Sequence, residues 1–549
     1  MFEWVKKDLR NFGKHISESS DLKTLSSEKI DLAFIGAGLS STFTLIEFIK
    51  QIENKNELLS YKDKDHCFSV VVFEKDSWIW GGIPYGHRSG FTSLIITPLD
   101  EFLPESELDE FIEWMRNNYD WLVVPFKNNS GERSQQWLRE SEEKIKSGKS
   151  EKIHIPRYFF GIYIWEKLQK TLSKSSKNIK LDFVNAEVTA IEADPSKKYH
   201  NYKICVNNKI NFSSNQILLG IGIPQIRSLD KDKNKLGDVL YFNDPYNPDL
   251  ESTLDKIHKK IKSCALTKIL IVGANASALE IIYQITNIKS DDFDNINFSV
   301  IAPQGKLPDL FIKDKQSDFV ADKLHILSES KETITADLIL EALKIDLHYA
   351  EENNYDISDT LPVFTKYVGN LVGKLSRDEK FNFITFHGVE IGRLQRRAGQ
   401  EYTQPINDLI NKNKLSVMKG KFLKFSSNNT EVELSLDGQD DVIRKNYDIV
   451  INCSGSSGLS NKQLSPLLQQ LKKSGMCIPT SSNHGFTVGD NFDVMAGFYI
   501  NGPLLAGNVV KEMGIWHVEH CGRIISFAKK IAHNIITDKK FIAFQKEVR

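Results

Sequence analysis

The residues with the clearest chemical meaning lie near the amino end, in Gly36-Ala37-Gly38-Leu39-Ser40-Ser41. A diphosphate bound by backbone needs N–H groups at close range and no side chain in the way. Gly36 permits a tight turn and Gly38 lets the backbone approach an anion. The third small position, Ser41 here, lets a helix pack close to a strand. The helix N-terminus then faces the negative charge. Ser69-Val70-Val71-Val72-Phe73-Glu74-Lys75 reads as the next strand, and it ends in an acid suited to ribose hydroxyls. The polar segment Glu53 to His66 reads as a loop insertion before it.

A second, degraded copy of this pattern occurs at Gly273-Ala274-Asn275-Ala276-Ser277-Ala278. Its central glycine is replaced by Asn275, a residue that tolerates a left-handed backbone. The strand that follows, Asn297 to Ala302, ends at Pro303-Gln304-Gly305-Lys306. It brings no acid for the ribose of NAD and no arginine for a 2′-phosphate. A purely structural second unit is the alternative reading. Two further apolar strands enter glycine turns, Gln216 to Pro224 (with Gly222) and Tyr447 to Gly455. The segment Gly497 to Asn508 places glycine ahead of a helix, where a flavin ring could meet backbone N–H groups.

These sites need elements to carry them. Each copy reads as apolar strand, tight turn and helix, the pattern of a buried parallel strand. The expected fold is therefore α/β, with two Rossmann-like dinucleotide-binding domains and helical insertions. Val320 to Leu347 and Trp516 to Ile536 have helical spacing. Asn128 to Glu132, Lys231 to Lys235 and Asp291 to Asn295 read as turns, and Glu140 to Lys152 as a solvated charged face.

Composition narrows the function. The chain has 549 residues, with 71 basic against 72 acidic side chains and a net charge of −1. That balance speaks against a sequence-independent nucleic-acid binder. No uncharged apolar run approaches the length of about 18 residues that a membrane helix needs. The start, Met1 to Asp8, is too charged for a signal peptide. The 6 cysteines are scattered and none forms a Cys-x-x-Cys pair, which excludes a zinc ribbon and a vicinal dithiol. A cytoplasmic setting fits this usage. Cys453 reads as a small packed residue. No His-Glu-x-x-His or Gly-x-Ser-x-Gly occurs, so no metal and no catalytic triad is expected. Gly369 to Leu375 imitates a P-loop but has the wrong spacing.

Read in order, Gly36 to Ser41, Glu74, Gly82-Ile83-Pro84-Tyr85-Gly86, Phe111 to Trp114, Arg157 to Tyr163, Asp244-Pro245, Gly305 to Pro308, Arg396 to Gly399, Ile451 to Gly455 and Gly502 to Gly507 resemble the FAD-NAD(P)-binding family of bacterial flavoproteins. That family is distantly similar to the amino-acid N-hydroxylating flavin monooxygenases. The resemblance implies FAD on the first unit and NADPH or NADH on the second. It implies three segments: residues 1–240 as the first part of the FAD-binding domain, 241–440 as the NAD(P)-binding domain with a helical insertion, and 441–549 as the carboxy-terminal part of the FAD-binding domain.

Cofactor contacts are then expected at Gly36, Gly38, Leu39, Ser40, Ser41, Glu74 and Lys75, with the flavin near Trp80, Gly82, Ile83, Tyr85, Asn501, Gly502 and Asn508. Val188 and Gly222 complete the first site. Gly273, Asn275, Ser277, Ala278 and Gln304 form the second. His87, Arg396 and Arg397 are candidate substrate contacts, the arginines because they could hold a carboxylate bidentately. Trp516, His517 and His520 are expected as packing residues on the final helix. Two stretches depart from the family pattern: Ala302 to Gly305, and Leu94-Ile95-Ile96-Thr97-Pro98. The implied activity is an FAD-dependent oxidoreductase, a monooxygenase that uses NAD(P)H and O2 to oxygenate a small amine-bearing, amino-acid-like substrate. A flavin-binding scaffold or sensor without turnover, and a flavin oxidase or dehydrogenase, are the alternatives.

Overall fold

The computed structural model describes residues 29–58, 67–129, 131–175, 179–194, 201–229, 239–287, 295–426, 431–456, 458–461, 463–518 and 520–538. The charged start, residues 59–66 of the expected loop insertion, Ser130, the turn Lys231 to Lys235 and most of Asp291 to Asn295 lie outside them.

The chain opens with β1 (Lys29–Ile35), buried on both faces as a central parallel strand must be, and turns into the helix Leu39–Leu58. That helix runs through Glu53, so the first part of the expected loop insertion is helical. Lys50 to Leu58 contains no glycine or proline to stop it. β2 (Phe68–Glu74) follows, then the helices Glu105–Asn129, Glu132–Lys146 and Arg157–Lys174. β3 (Ile179–Asn185), the hairpin of β4 (Val188–Ala193) and β5 (Tyr202–Val206), and β6 (Ile210–Leu219) close the first unit. In this sheet β6, β1, β2 and β3 run parallel, in that order.

The second unit begins at β7 (Leu240–Phe242) and continues through β8 (Thr267–Val272), the helix Ala276–Thr286 and β9 (Ile296–Ala302). A short ribbon, β10 (Asp309–Leu310) with β11 (Arg397–Ala398), encloses the helical insertion. The insertion contains the helices Asp322–Glu329, Ala336–Glu352 and Ile357–Lys374, and it ends in a broken helix from Arg377 to Leu394. The P-loop-like Gly369 to Leu375 is the carboxy-terminal end of the third helix and its C-cap. β12 (Leu415–Phe425), β13 (Glu431–Leu436), β14 (Val442–Asn446) and β15 (Ile449–Asn452) complete a second sheet in the order β14-β13-β12-β9-β8-β15-β7.

β15 pairs with β8 and β7, so residues 441–452 complete the second sheet. They were expected in the carboxy-terminal part of the first domain. The chain returns to the first sheet only at β16 (Asp493–Met495) and β17 (Phe498–Ile500), which pairs with β6. The hairpin β18 (Asn508–Val510) and β19 (Met513–Ile515) precedes the final helix, Cys521–Thr537, which packs along Leu39–Leu58. That hairpin takes up residues to 515, so Trp516 and His517 precede the helix. Trp516, His517 and His520 were all expected on the final helix; His520 is its N-cap.

The insertion is covalently part of the second unit, yet it rests on the first. Val509 joins its apolar core, Phe383 meets Trp516 edge to face at 5.9 Å, and the buried Lys380 pairs with Glu512 at 2.7 Å. At its neck, Arg397 pairs with Glu101 at 2.8 Å and Lys313 with Asp100 at 2.5 Å. Among the described residues no helix is long and apolar enough to cross a membrane.

The first unit's core centres on Phe160. Its ring meets Phe102 at 5.0 Å, Tyr85 at 5.4 Å and Phe111 at 5.6 Å, all edge to face. Truncating a buried aromatic in such a cluster costs about 3–5 kcal/mol. Phe160→Ala is therefore expected to lower the thermal unfolding midpoint by several degrees; an unchanged midpoint contradicts the packing described.

Candidate functional site

The first glycine turn is shaped by close backbone packing. Gly36 has φ +95°, and a Cβ there would lie 2.7 Å from the carbonyl oxygen of Gly220, at the end of β6. Its N–H donates to Phe73 O at 2.8 Å, and Gly220 N–H donates to Ile35 O at 2.9 Å. Gly38 serves differently. Its open side faces only the Cα of Gly82, 3.8 Å from where a Cβ would stand. Two backbones therefore face each other without side chains between them. Leu39 N–H borders the same gap. Ser41 abuts Gly220, and its buried hydroxyl oxygen has no partner.

Glu74 reaches this turn from the end of β2. One carboxylate oxygen accepts from Ala37 N–H at 2.7 Å and the other from Asp76 N–H at 3.0 Å. Burial pushes its pKa up, against the two N–H donors. Each oxygen keeps a further acceptor position, as a ribose diol needs. Lys75 beside it is exposed.

From the far end of the chain, Asn501 donates to Thr44 Oγ1 at 2.9 Å, and Gly502 lies against the Ser40 hydroxyl. The buried Oδ1 of Asn501 has no partner. A gap free of side chains, an acid at the next strand end and an orphaned buried amide oxygen together fit a dinucleotide carrying polar groups along its length.

Several expected contacts take other roles. The Trp80 ring is 1% exposed and packs edge-on against Phe183 at 5.1 Å. Its backbone, not its ring, holds the turn: Trp80 N–H donates to Ala37 O at 2.6 Å, and its carbonyl accepts from the Thr42 hydroxyl at 3.1 Å. Tyr85 packs in the aromatic core, whereas Ile83 is exposed. Val188 is buried opposite Val206 in the hairpin, and Gly222 lies in an open turn after β6. Asn508 was expected at the flavin, but its amide is spent on backbone. It donates to Phe486 O and Leu505 O at 2.8 and 2.9 Å and accepts from Val488 N–H at 3.0 Å. His87 stacks on Trp78 at 4.2 Å, and burial pushes its pKa down.

The second turn repeats the two backbone bonds that flank Gly36 in the first. Gly273 has φ +110°, and a Cβ there would lie 2.3 Å from Cys453 O. Gly273 N–H donates to Ile301 O at 2.9 Å, and Cys453 N–H to Val272 O at 2.8 Å. Asn275 has φ −106°, so it does not adopt the left-handed backbone expected of it. The central position of this turn needs room, not an unusual φ. At Asn275 an amide fills part of that room, and its buried Oδ1 has no partner. Ala278 is buried, Ser277 borders the Tyr246 hydroxyl, and Gln304 is exposed in the turn after β9.

Between the turns lies a buried polar network that the sequence reading did not assemble. Arg157 pairs with Glu280 at 2.7 Å, Tyr246 donates to the same carboxylate oxygen at 2.9 Å, and Arg157 Nε donates to Leu94 O at 2.9 Å. Burial opposes the charge on Arg157, but Glu280 and the surrounding tyrosine hydroxyls outweigh it and hold the guanidinium charged. The other oxygen of Glu280 is buried without a partner. Nearby, Arg88 joins Asp76 of the first unit to Asp244 of the second at 3.6 and 3.1 Å. Glu280 lies two residues beyond the recognised motif, amid apolar neighbours that made it read as ordinary helix.

Of the two arginines expected to hold a carboxylate, one is engaged by an acid of this chain. Arg397 is committed to Glu101 and lies over Phe311 at 5.2 Å, at the neck of the insertion with Arg396. No metal-binding group of His, Cys, Asp or Glu occurs among the described residues. Burial pushes the thiols of Cys453 and Cys521 up, so both stay protonated.

Residues 33–224 match the family model described as FAD-NAD(P)-binding. This segment is an FAD-NAD(P)-binding domain. Uncharacterized proteins of Mycobacterium tuberculosis and Mycobacterium bovis are 25% identical to this chain over 523 residues, 93% of it and 96% of each relative. Among solved structures, an ornithine N-hydroxylase of Kutzneria sp. 744 has a TM-score of 0.51 at 13% identity, over 93% of this chain and 99% of that one. A thioredoxin reductase of Lactococcus lactis has a TM-score of 0.45 at 10% identity, over 94% and 99%. The cofactors are FAD and a nicotinamide dinucleotide, and the fold is the two-unit α/β fold expected from the paired turns.

Removing one partner of a buried ion pair costs about 3–5 kcal/mol, because the other charge is stranded. Glu280→Leu is expected to destabilise the protein on that scale, and Arg157→Leu/Glu280→Leu to recover most of the loss in thermal melts. A double variant no more stable than the single one contradicts the pairing.

Proposed function

We propose that the protein is an FAD-dependent monooxygenase that uses NAD(P)H and O2 to oxygenate a small, amine-bearing, amino-acid-like substrate. The observation that carries this reading is the pairing of two equivalent glycine turns, one per sheet, across the Arg157–Glu280 network. Such an arrangement suits two dinucleotides that must meet. When bound, the nicotinamide supplies a hydride and the flavin the redox chemistry with oxygen.

In this reading the chain's own groups bind and orient. Gly36, Gly38 and Ser41 receive the FAD diphosphate, Glu74 the ribose hydroxyls, and the backbone around Gly82 with Asn501 and Gly502 the flavin end. Gly273, Asn275, Ser277 and Ala278 receive the nicotinamide dinucleotide. Arg157 and Glu280 hold the two units in register. A thiol–disulfide reductase needs a cysteine pair beside the flavin; this chain has no Cys-x-x-Cys, and Cys453 and Cys521 are buried thiols. Asn275 at the central position of the second turn is the one feature that favours a flavin-holding protein without turnover.

The test is anaerobic reduction followed by oxygen. The FAD-loaded protein is expected to bleach with NADPH or NADH. On admission of air, an amine such as L-ornithine or L-lysine should accelerate nicotinamide oxidation and yield a hydroxylated amine. Flavin that stays oxidised with both donors, or reoxidation that yields only hydrogen peroxide with every amine tried, contradicts the reading.

A further inference from the structure

Arg523 stands on the first turn of the final helix, outside every motif read from the sequence. Its guanidinium lies over the Trp516 ring at 4.8 Å, and Nη1 donates to the His517 carbonyl at 2.9 Å. Arg88, Arg133, Arg157 and Arg397 each meet a carboxylate. Arg523 meets none among the described residues, and burial alone pushes its pKa down. Glu101, which shares His520 as a neighbour with Arg523, is already engaged: Arg397 takes its carboxylate, and its carbonyl lies 2.5 Å from His520 Nε2. A half-desolvated cation without a counter-charge is costly to hold unless an anion completes it.

The surroundings reinforce this. His517 is pushed down to about 4, first by burial and then by the positive charge of Arg523 and by His520. His520 is pushed down too, by burial first, with Arg523 and Arg397 adding and Glu101 opposing. The local field is cationic, and the imidazoles stay neutral within it.

The place is a seam. Trp516 packs against Phe383 and Gly388 of the insertion, while Cys521, two residues before Arg523, neighbours Tyr85 of the loop that faces Gly38. The planar guanidinium, held flat by an aromatic face, keeps a free edge of paired N–H donors suited to a carboxylate.

We propose that Arg523, braced by Trp516, binds the carboxylate of the substrate at the seam between the helical insertion and the final helix. This rests on the amine-oxygenating reading above, and it assigns the carboxylate end of that substrate to a residue. A phosphate of the nicotinamide dinucleotide offers the same charge, so the experiment separates the two.

Oxidised, FAD-loaded protein is titrated with L-ornithine and with 1,4-diaminobutane, which lacks only the carboxyl group, and binding is followed by the flavin difference spectrum and by tryptophan fluorescence. The amino acid is expected to bind saturably and the diamine at least about tenfold more weakly. Arg523→Met should weaken amino-acid binding by about tenfold or more, Arg523→Lys should recover part of it, and FAD content and NADPH affinity should not change in either. Equal binding of amino acid and diamine, no binding of either, an Arg523→Met protein that binds like the parent, or a loss confined to NADPH affinity overturns the proposal. If Arg523→Met loses FAD, Arg523→Lys and Trp516→Leu carry the test: unchanged amino-acid binding in Trp516→Leu and loss equal to background in Arg523→Lys overturn it as well. The titration uses neither NADPH nor oxygen, so carboxylate-dependent binding without amine hydroxylation would sink the monooxygenase reading and leave this one standing.

Discussion

Arg157 and Glu280 are withdrawn from water together, and much else in the molecule follows from their doing so. Arg157 opens the helix Arg157–Lys174 of the first unit; Glu280 lies inside the helix that follows the second glycine turn. Neither charge can be buried alone at tolerable cost. Their contact therefore requires the two units to meet in one arrangement, and Tyr246, Leu94 and Arg88 tie that arrangement to loops on both sides. The ends of the two glycine turns are held toward the same interior by this constraint.

The turns themselves obey a steric rule. At Gly36 and at Gly273 a neighbouring strand's carbonyl oxygen occupies the space a Cβ would need. Matching hydrogen bonds on either side show that the second unit keeps the strand-to-turn backbone bonds of the first, with Asn275 at its central position. Asn275 takes up room and leaves those bonds in place. The insertion adds a further layer: it leaves the second sheet through the ribbon β10–β11, yet it settles on the hairpin and final helix of the first unit. It thereby frames a seam that neither unit forms alone.

Much of this was legible in the residues. A glycine turn between an apolar strand and a helix announces itself, because few side chains can stand there, and both copies were found at their true positions. The acid at the end of β2 was equally plain. What stayed hidden depends on partners far away in the chain. Nothing local distinguishes Asn501, with an unpartnered oxygen, from Asn508, whose amide is consumed by Phe486, Leu505 and Val488. Arg397 read as a ligand because Glu101 is distant in sequence. Arg523 read as nothing, because the absence of a counter-charge cannot be seen in a string of residues. Trp516 was placed on a helix because apolar spacing does not mark where a hairpin ends.

The central claim is that the gap between Gly38 and Gly82 receives the diphosphate of FAD. Flavin content tests it most directly, measured by absorbance on the purified parent chain and on Gly38→Val after incubation with excess FAD. The account expects about one FAD per parent chain and almost none in a Gly38→Val protein that melts near the parent's temperature, since a Cβ there meets only ordinary contacts while the branched side chain fills the gap. A folded Gly38→Val protein that retains a full complement of flavin, or a parent chain that refuses FAD altogether, would contradict it.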